Sequence, residues 1–298
     1  MSGGRSTLIA TLIGGTAVLM WATLALFTTL TGDIPPFQLS AMAFAVAFAM
    51  CAVKWMFDGG TGIRALRQPA PVWLLGVGGL FGYHFFYFMA LRNAPPVEAG
   101  LIAYLWPLLI VVCSALLPGE KLRWFHVAGG VTGLAGTVVL VLASNPDGLG
   151  PDPRFALGYA MAILCAATWT TYSLTSRRFG HVPTDAVGGF CLATSALSFV
   201  CHLVFETTVW PADGLFSGEM LAVAALGLGP VGAAFFTWDY GVKHGHIQAL
   251  GASAYAAPLL STILLIVFGQ GVLSWQVAVA CVAIVGGALL ASTDLLRR

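Results

Sequence analysis

Charge is what this sequence has least of. Only 8% of its 298 residues are charged, against roughly 25% in an ordinary soluble domain. A soluble domain of this length has too much surface to cover with so few polar groups, so that class is excluded. Disorder is excluded by a hydrophobic share of 58%. Thirteen Lys and Arg face twelve Asp and Glu, for a net charge of +1. A net charge this close to zero is too small to engage phosphates, so a nucleic-acid partner is not expected. Cysteine is sparse as well. Cys51, Cys113, Cys165, Cys191, Cys201 and Cys281 form no CxxC pair and all fall in apolar stretches. They read as small buried hydrophobes, and neither a metal site nor a cofactor is expected. No Gly-rich phosphate loop and no soluble ATPase segment are present, which excludes a self-powered pump.

What is abundant is long apolar runs. A hydrocarbon core about 30 Å thick needs roughly 20 apolar residues of helix. Ten stretches meet that length: about 8–30, 37–57, 71–91, 95–117, 125–143, 155–176, 186–210, 219–241, 247–268 and 272–292. Gly32-Asp33-Ile34-Pro35-Pro36, Pro95-Pro96, Pro118-Gly119 and Asn145-Pro146-Asp147-Gly148 mark breaks between them. The first stretch is too long for a cleavable signal core and is read as a span. The fold class expected is therefore an all-α polytopic membrane protein with ten transmembrane helices.

The positions of the cations test that count. With the N-terminus placed inside, the inside segments hold Arg5, Lys54, Arg64, Arg67, Lys121, Arg123, Arg177, Arg178, Lys243, Arg297 and Arg298, and the outside loops hold only Arg92 and Arg154. This is the positive-inside asymmetry, and one missed span would destroy it. Both termini are expected in the cytoplasm, and the chain in the cell inner membrane, lying in the lipid bilayer as a multi-pass protein.

The chain also resembles itself. Shifted by 151 residues, positions 78–136 match 229–287 without a gap. Gly78 falls on Gly229, Phe85 on Phe236, Gly100 on Gly251, Tyr104 on Tyr255, Pro107-Leu108-Leu109 on Pro258-Leu259-Leu260, Trp124 on Trp275 and Gly136 on Gly287. A slightly shorter offset sets Trp21 on Trp169. Two five-helix repeats follow, 1–146 and 147–298. An odd helix number forces them into opposite orientations, the inverted-topology arrangement of secondary transporters.

The polar and aromatic residues within the spans are the candidates for substrate contact. Span 3 reads Gly82-Tyr83-His84-Phe85-Phe86-Tyr87, with Tyr83 and Tyr87 on one helix face. His84 lies mid-span, where a polar side chain is costly unless it faces protein or water. It is read either as part of a cavity wall or as an interhelical hydrogen-bonding group. Glu98 begins span 4, where a carboxylate either suits the helix dipole or holds a substrate amine. Pro107 and Pro258 remove backbone hydrogen bonds and are expected to kink spans 4 and 9 as hinges. Gly100 and Gly251 are expected to allow close helix contact. Trp21 and Trp169 lie mid-span, unlike the interfacial tryptophans Trp73, Trp124, Trp210 and Trp275. Tyr104, Trp106, Tyr172, Trp238, Ser253 and Tyr255 complete the candidate set, and His202 with Glu206 reads as a local pair. Gly251-Ala252-Ser253-Ala254 is similar to the serine motif of rhomboid proteases. A catalytic Ser needs a His at matching depth, however, and His244 and His246 precede span 9, so no enzyme is expected.

Two strings carry a family resemblance over essentially the whole chain. Glu98-x-Gly100-x-x-x-Tyr104-Leu105-Trp106-Pro107 resembles the span-4 motif of YddG-type amino-acid exporters. Trp238-x-x-Gly241-x-x-His244-Gly245, followed by Ser253-x-Tyr255-x-x-Pro258, resembles their spans 8 and 9. With its five-plus-five architecture the chain is similar to the EamA-type branch of the drug/metabolite transporter (DMT) superfamily. That resemblance implies export of aromatic and other neutral amino acids or related metabolites by alternating access, through a central cavity between the halves. The residues agree: the mid-membrane inventory is aromatic and nearly uncharged, which suits packing against a side chain and offers no counter-ion for a charged cargo. No Asp or Glu lies near mid-span, so facilitated export is expected ahead of proton exchange through His84 or Glu98. Export of drugs, nucleobases or sugar conjugates by the same fold is the alternative. A self-contained repeat pair is expected to work as a monomer.

Overall fold

A computed structural model describes residues 2–143, 152–268 and 274–296. The Asn145–Gly148 break, the boundary expected at 146/147, the start of the tenth stretch at 272 and the cations Arg297 and Arg298 lie outside the described residues. Every described element is helical. Among the described residues nine helices are long and apolar enough to cross a membrane: α1 Arg5–Thr29, α2 Pro36–Phe57, α3 Ala70–Asn93, α4 Pro96–Leu116, α5 Trp124–Ala143, α6 Pro153–Phe179, α7 Ala186–Phe205, α8 Gly218–His244 and α9 Ile247–Val267. A tenth, α10, is the shorter apolar helix Trp275–Ala291. Its 17 described residues rise about 26 Å. The chain is thus a polytopic helical membrane protein, as its composition requires.

Proline sets several helix starts. Pro36, Pro71 and Pro96 occupy the first positions of α2, α3 and α4, where a missing N–H costs nothing. Inside helices proline acts the other way. α4 is broken between Pro96–Ala103 and Trp106–Cys113, just before Pro107. α9 is broken between Ile247–Ser253 and Ala256–Val267, just before Pro258. In α8, Pro230 lies within a wider turn over Gly229–Ala233 that separates two α-helical parts.

The helices pack in a definite pattern. α1 runs along the second part of α8, α3 along α6, α2 along α7, and α5 along α10, while α4 contacts α6 and α9. Small residues permit these approaches. A Cβ on Gly129 would lie 2.4 Å from the Gly287 carbonyl oxygen, so α5 and α10 touch backbone to backbone. A Cβ on Gly14 would lie 2.8 Å from Gly241 Cα, which fixes the α1–α8 crossing. In the α3–α6 pair, Ala90 and Ala162 are both fully buried in one cluster. Of the two glycines expected to allow close contact, only Gly251 does, against Val111, Ile110 and the Pro107 carbonyl at 3.0–3.1 Å. Gly100 is corrected: a Cβ there would meet nothing within 4 Å, because that face of α4 borders open space.

Candidate substrate site

Four tryptophans from four helices meet inside the helix bundle. Trp21 of α1, Trp106 of α4, Trp169 of α6 and Trp238 of α8 are all mutual neighbours. Trp21 lies 6.0, 5.9 and 5.0 Å from Trp106, Trp169 and Trp238 between ring centroids. Trp106 lies 6.3 Å from Trp169 and 5.7 Å from Trp238, and Trp169 lies 6.3 Å from Trp238. Most of these contacts are edge-on or tilted, the arrangement that ring quadrupoles favour. Buried indole N–H groups need acceptors, and the fold supplies them. Trp21 Nε1 donates to the Pro230 carbonyl at 3.1 Å, and Trp238 Nε1 donates to Ser173 Oγ at 3.1 Å. The Pro230 carbonyl sits in the wide turn of α8, so that irregularity orients Trp21.

Above this cluster lies a cavity of about 90 Å³, lined by Trp21, Leu24, Tyr83, His84, Tyr104, Trp106, Trp169, Pro230, Val231, Phe235 and Ala257. His84 Nδ1 lies 2.8 Å from the Leu80 carbonyl oxygen. That oxygen can only accept, so Nδ1 carries the ring proton and Nε2 keeps a lone pair. Tyr83 packs on Trp169 at 5.3 Å. Among the described residues no carboxylate and no ammonium lines the cavity. A larger cleft of about 340 Å³ opens between Pro35, Pro36, Phe37, Phe88, Arg92, Glu206 and Thr207, at the ends of α2, α3 and α7. It holds no tryptophan. Its buried acid is already engaged, because Glu206 accepts from the Phe37 and Gln38 N–H groups at 2.9 and 3.0 Å and pairs with His202 at 3.0 Å. The tryptophan-lined cavity is therefore the candidate site.

Six of the residues singled out from the sequence line that cavity: Trp21, Tyr83, His84, Tyr104, Trp106 and Trp169. Others stand behind them. Trp238 is the fully buried member of the tryptophan cluster, Tyr172 packs on Trp169 at 5.1 Å, and Tyr87 stacks on Tyr83 at 6.2 Å. Tyr255 is buried at the α9 break, and its hydroxyl accepts from the Leu108 N–H at 3.1 Å. Ser253 donates to the Leu250 carbonyl of its own helix. Glu98 lies in the first turn of α4 and accepts a hydrogen bond from Tyr159 of α6, away from the cavity. Phe235, Pro230, Val231, Leu24 and Ala257 line the cavity but were not singled out. The 151-residue shift carried a signal for two of them, since it sets His84 on Phe235 and Trp106 on Ala257. His84 and Phe235 face each other at 6.0 Å, with Phe44 beside both at 5.0 and 5.7 Å.

Below the tryptophans the bundle is closed by charge. The buried pair Asp239 and Lys243, 2% and 4% exposed, is joined at 2.7 Å. Thr184 donates to Asp239 at 2.8 Å, and Lys243 also donates to the Val182 carbonyl at 3.1 Å. Arg177 donates to Glu120 at 2.6 Å and to the Val242 and Gly245 carbonyls at 3.0 and 2.7 Å. Gln248 adds bonds to Glu120 and Ser114, each 3.1 Å. Lys54 pairs with Asp185 at 2.6 Å.

An aromatic cavity enclosed among membrane helices, with ion pairs to one side of it, is the architecture of a solute carrier. The chain belongs to the EamA-like transporter family, whose profile matches residues 8–142 and 156–293. It is a multi-pass protein of the inner membrane and not an enzyme. It is 57% identical to the protein named aromatic amino acid exporter YddG of Ancylobacter novellus, over 97% of this chain and 98% of that one. It is 26% identical to the protein of the same name in Escherichia coli, over 94% of this chain and 96% of that one. A solved crystal structure with 55% identity superposes with a TM-score of 0.92, covering 98% of this chain and 99% of the other.

Proposed function

We propose that this protein exports aromatic and other neutral amino acids, or closely related metabolites, by facilitated alternating access. The observation that carries this is the cluster of Trp21, Trp106, Trp169 and Trp238, the first three of which line a cavity with no charged side chain among the described residues. An indole-lined wall packs against an aromatic or apolar side chain. The His84 Nε2 lone pair and the Tyr83 and Tyr104 hydroxyls offer polar contacts to a zwitterion whose net charge is zero. The names of the relatives support the same substrate class. The cavity volume of about 90 Å³ is below the roughly 300–1,000 Å³ of ligand-filled pockets, so the tryptophans part when cargo enters.

In this reading ten spans form two inverted halves, 1–146 and 147–298, with both termini in the cytoplasm. The helix pairing supports it. Exchanging α1 with α6, α2 with α7, α3 with α8, α4 with α9 and α5 with α10 turns the α1–α8 contact into α6–α3 and returns the α2–α7, α4–α9 and α5–α10 contacts to themselves. The cytoplasmic side is then the one closed by Arg177–Glu120, Lys54–Asp185 and Asp239–Lys243. Pro107 and Pro258, each just after a helix break, serve as hinges. Glu98 is engaged by Tyr159, which supports facilitated transport over a carboxylate relay.

Counterflow in proteoliposomes with a mixed set of labelled amino acids tests the proposal. Uptake of Trp, Phe and Met driven by unlabelled amino acid inside is the expected result. Indifference to every amino acid, with movement of nucleobases, drugs or sugar conjugates, would overturn the substrate class. Uphill movement driven by an imposed pH gradient would overturn the facilitated mechanism.

A further inference from the structure

Two histidines outside the substrate site meet at the end of the bundle where α5 and α9 begin. His246 immediately precedes α9, and its Nδ1 accepts from the Ala249 N–H at 3.2 Å. His126 is the third residue of α5, and its Nδ1 accepts from the Arg123 N–H at 3.1 Å. These are the two complementary roles of a helix cap: one residue reaches forward from before the helix, the other reaches back from its first turn. A backbone N–H can only donate, so each Nδ1 presents a lone pair and each ring proton sits on Nε2.

The rings lie 5.8 Å apart. With Asp294, from the one-turn helix Thr293–Leu296, they place ligand-type atoms within 4.8 Å of one another. His126 is 1% exposed, and its Nε2 points toward Asp294 Oδ2, 3.4 Å away, without completing a hydrogen bond. The spacing suits a metal ion, but the proton positions do not. A metal takes the Nε2 lone pair and leaves the proton on Nδ1, facing an acceptor. Here Nδ1 faces donors.

The group that fits is a proton. Because Nε2 is already protonated, an incoming proton goes to Nδ1, where it meets a backbone N–H and removes the cap. We propose that His126 and His246 form a proton-binding latch, in which protonation of either ring uncaps the start of α5 or α9 and loosens the closed end of the bundle. The inference rests on the proposed topology only in naming the cytoplasm as the side that supplies the proton.

The surrounding charges are balanced. Asp294 and Glu120 attract the proton, Arg123 and Arg177 repel it, and each histidine, once charged, repels protonation of the other. Burial holds the His246 imidazole below its ordinary range. The neutral form is thus the native one. The unfolded chain binds the proton more readily, and stability drains as pH falls below about 6.5. The latch is well placed to act at a distance. The His246 N–H donates to Thr11 Oγ1 of α1 at 2.8 Å, and the adjacent Gly245 carbonyl is held by Arg177 at 2.7 Å. Loosening that turn reaches both α1 and the ionic closure.

Hydrogen exchange of the full chain in lipid nanodiscs, without substrate, tests the latch. Exchange of the first turns of α5 and α9 is followed by mass spectrometry and corrected for intrinsic rates. The paired variant His126→Gln with His246→Asn keeps a cap acceptor at both places but does not titrate. In the wild type, protection of both turns should fall by about tenfold between about pH 8 and about pH 5, and the variant should show no step. A flat wild-type profile, or a step that persists in the variant, would overturn the proposal. So would protection raised by micromolar Zn²⁺ at about pH 8, since that places the ring protons on Nδ1. No substrate is used, so a chain inactive in counterflow can still show the step, and the two readings fail separately.

Discussion

The Tyr255 hydroxyl accepts a hydrogen bond from the Leu108 backbone N–H at 3.1 Å. The bond joins the break in α9 to the break in α4. Leu108 lies in the first turn of the half-helix Trp106–Cys113, so its N–H has no carbonyl one turn back within that half. Tyr255 supplies the missing acceptor from the other side of the bundle. One hydroxyl therefore holds together the two places where matched helices are interrupted.

Tyr255→Phe should leave that partly buried N–H without its cross-bundle partner. The expected cost is about 1–3 kcal/mol of stability, visible as a lower midpoint of thermal unfolding in detergent. Tyr104→Phe, whose hydroxyl faces the cavity, should leave the midpoint nearly unchanged. Equal midpoints for wild type and Tyr255→Phe would remove the bond from the account.

Trp21 touches the other three tryptophans and Phe235, and its N–H is satisfied by Pro230. Trp21→Ala should lower counterflow of aromatic amino acids by about tenfold, since ring contacts contribute about 0.5–1.5 kcal/mol each. Trp124→Ala, at an exposed surface tryptophan, serves as the control and should transport normally. Loss in both variants would point to general damage rather than a substrate wall.

The buried pair Asp239–Lys243 should behave as a unit. Asp239→Asn strands the Lys243 ammonium among buried groups, which costs about 3–5 kcal/mol. The double change Asp239→Asn with Lys243→Met should recover most of that loss in a double-mutant cycle of thermal stability. Additive losses would show that the two side chains do not interact.

Glu98 is engaged by Tyr159 rather than presented to the cavity. Glu98→Gln should therefore keep neutral amino-acid counterflow within about twofold of wild type, an effect of less than about 0.5 kcal/mol. Transport at background in this variant, with normal folding, would return Glu98 to the substrate path.

How much of this was legible in the sequence differs from residue to residue. His84 announces itself, because a polar group at mid-span is costly against lipid, and Trp21 and Trp169 do so because tryptophan otherwise collects at the interfaces. Pro107 and Pro258 located the helix breaks to within a turn, since a missing N–H acts locally. Pro230 stands equally plainly in the sequence, yet its effect is to widen a turn and aim a carbonyl at Trp21, a partner 209 positions away. Phe235 looked like one apolar residue among many, and only its register with His84 hinted at its place. Ser253 and Glu98 carry suggestive chemistry, but helix rotation turns one into its own backbone and leaves the other with Tyr159.

By itself the sequence determined that the chain lives in a bilayer as a bundle of long helices. That follows from hydropathy, which is summed along the chain and needs no knowledge of neighbours. It also supplied an aromatic, nearly uncharged set of mid-span residues. Which of those residues share a cavity was decided only by the tertiary structure. Helix rotation and crossing are set by contacts such as Gly14 with Gly241 and Gly129 with Gly287, where backbones touch across large sequence separations. The closure by Arg177 and Glu120, and the meeting of His126 with His246, arise in the same way. Pair interactions depend on distance in space, and folding alone brings those partners within reach.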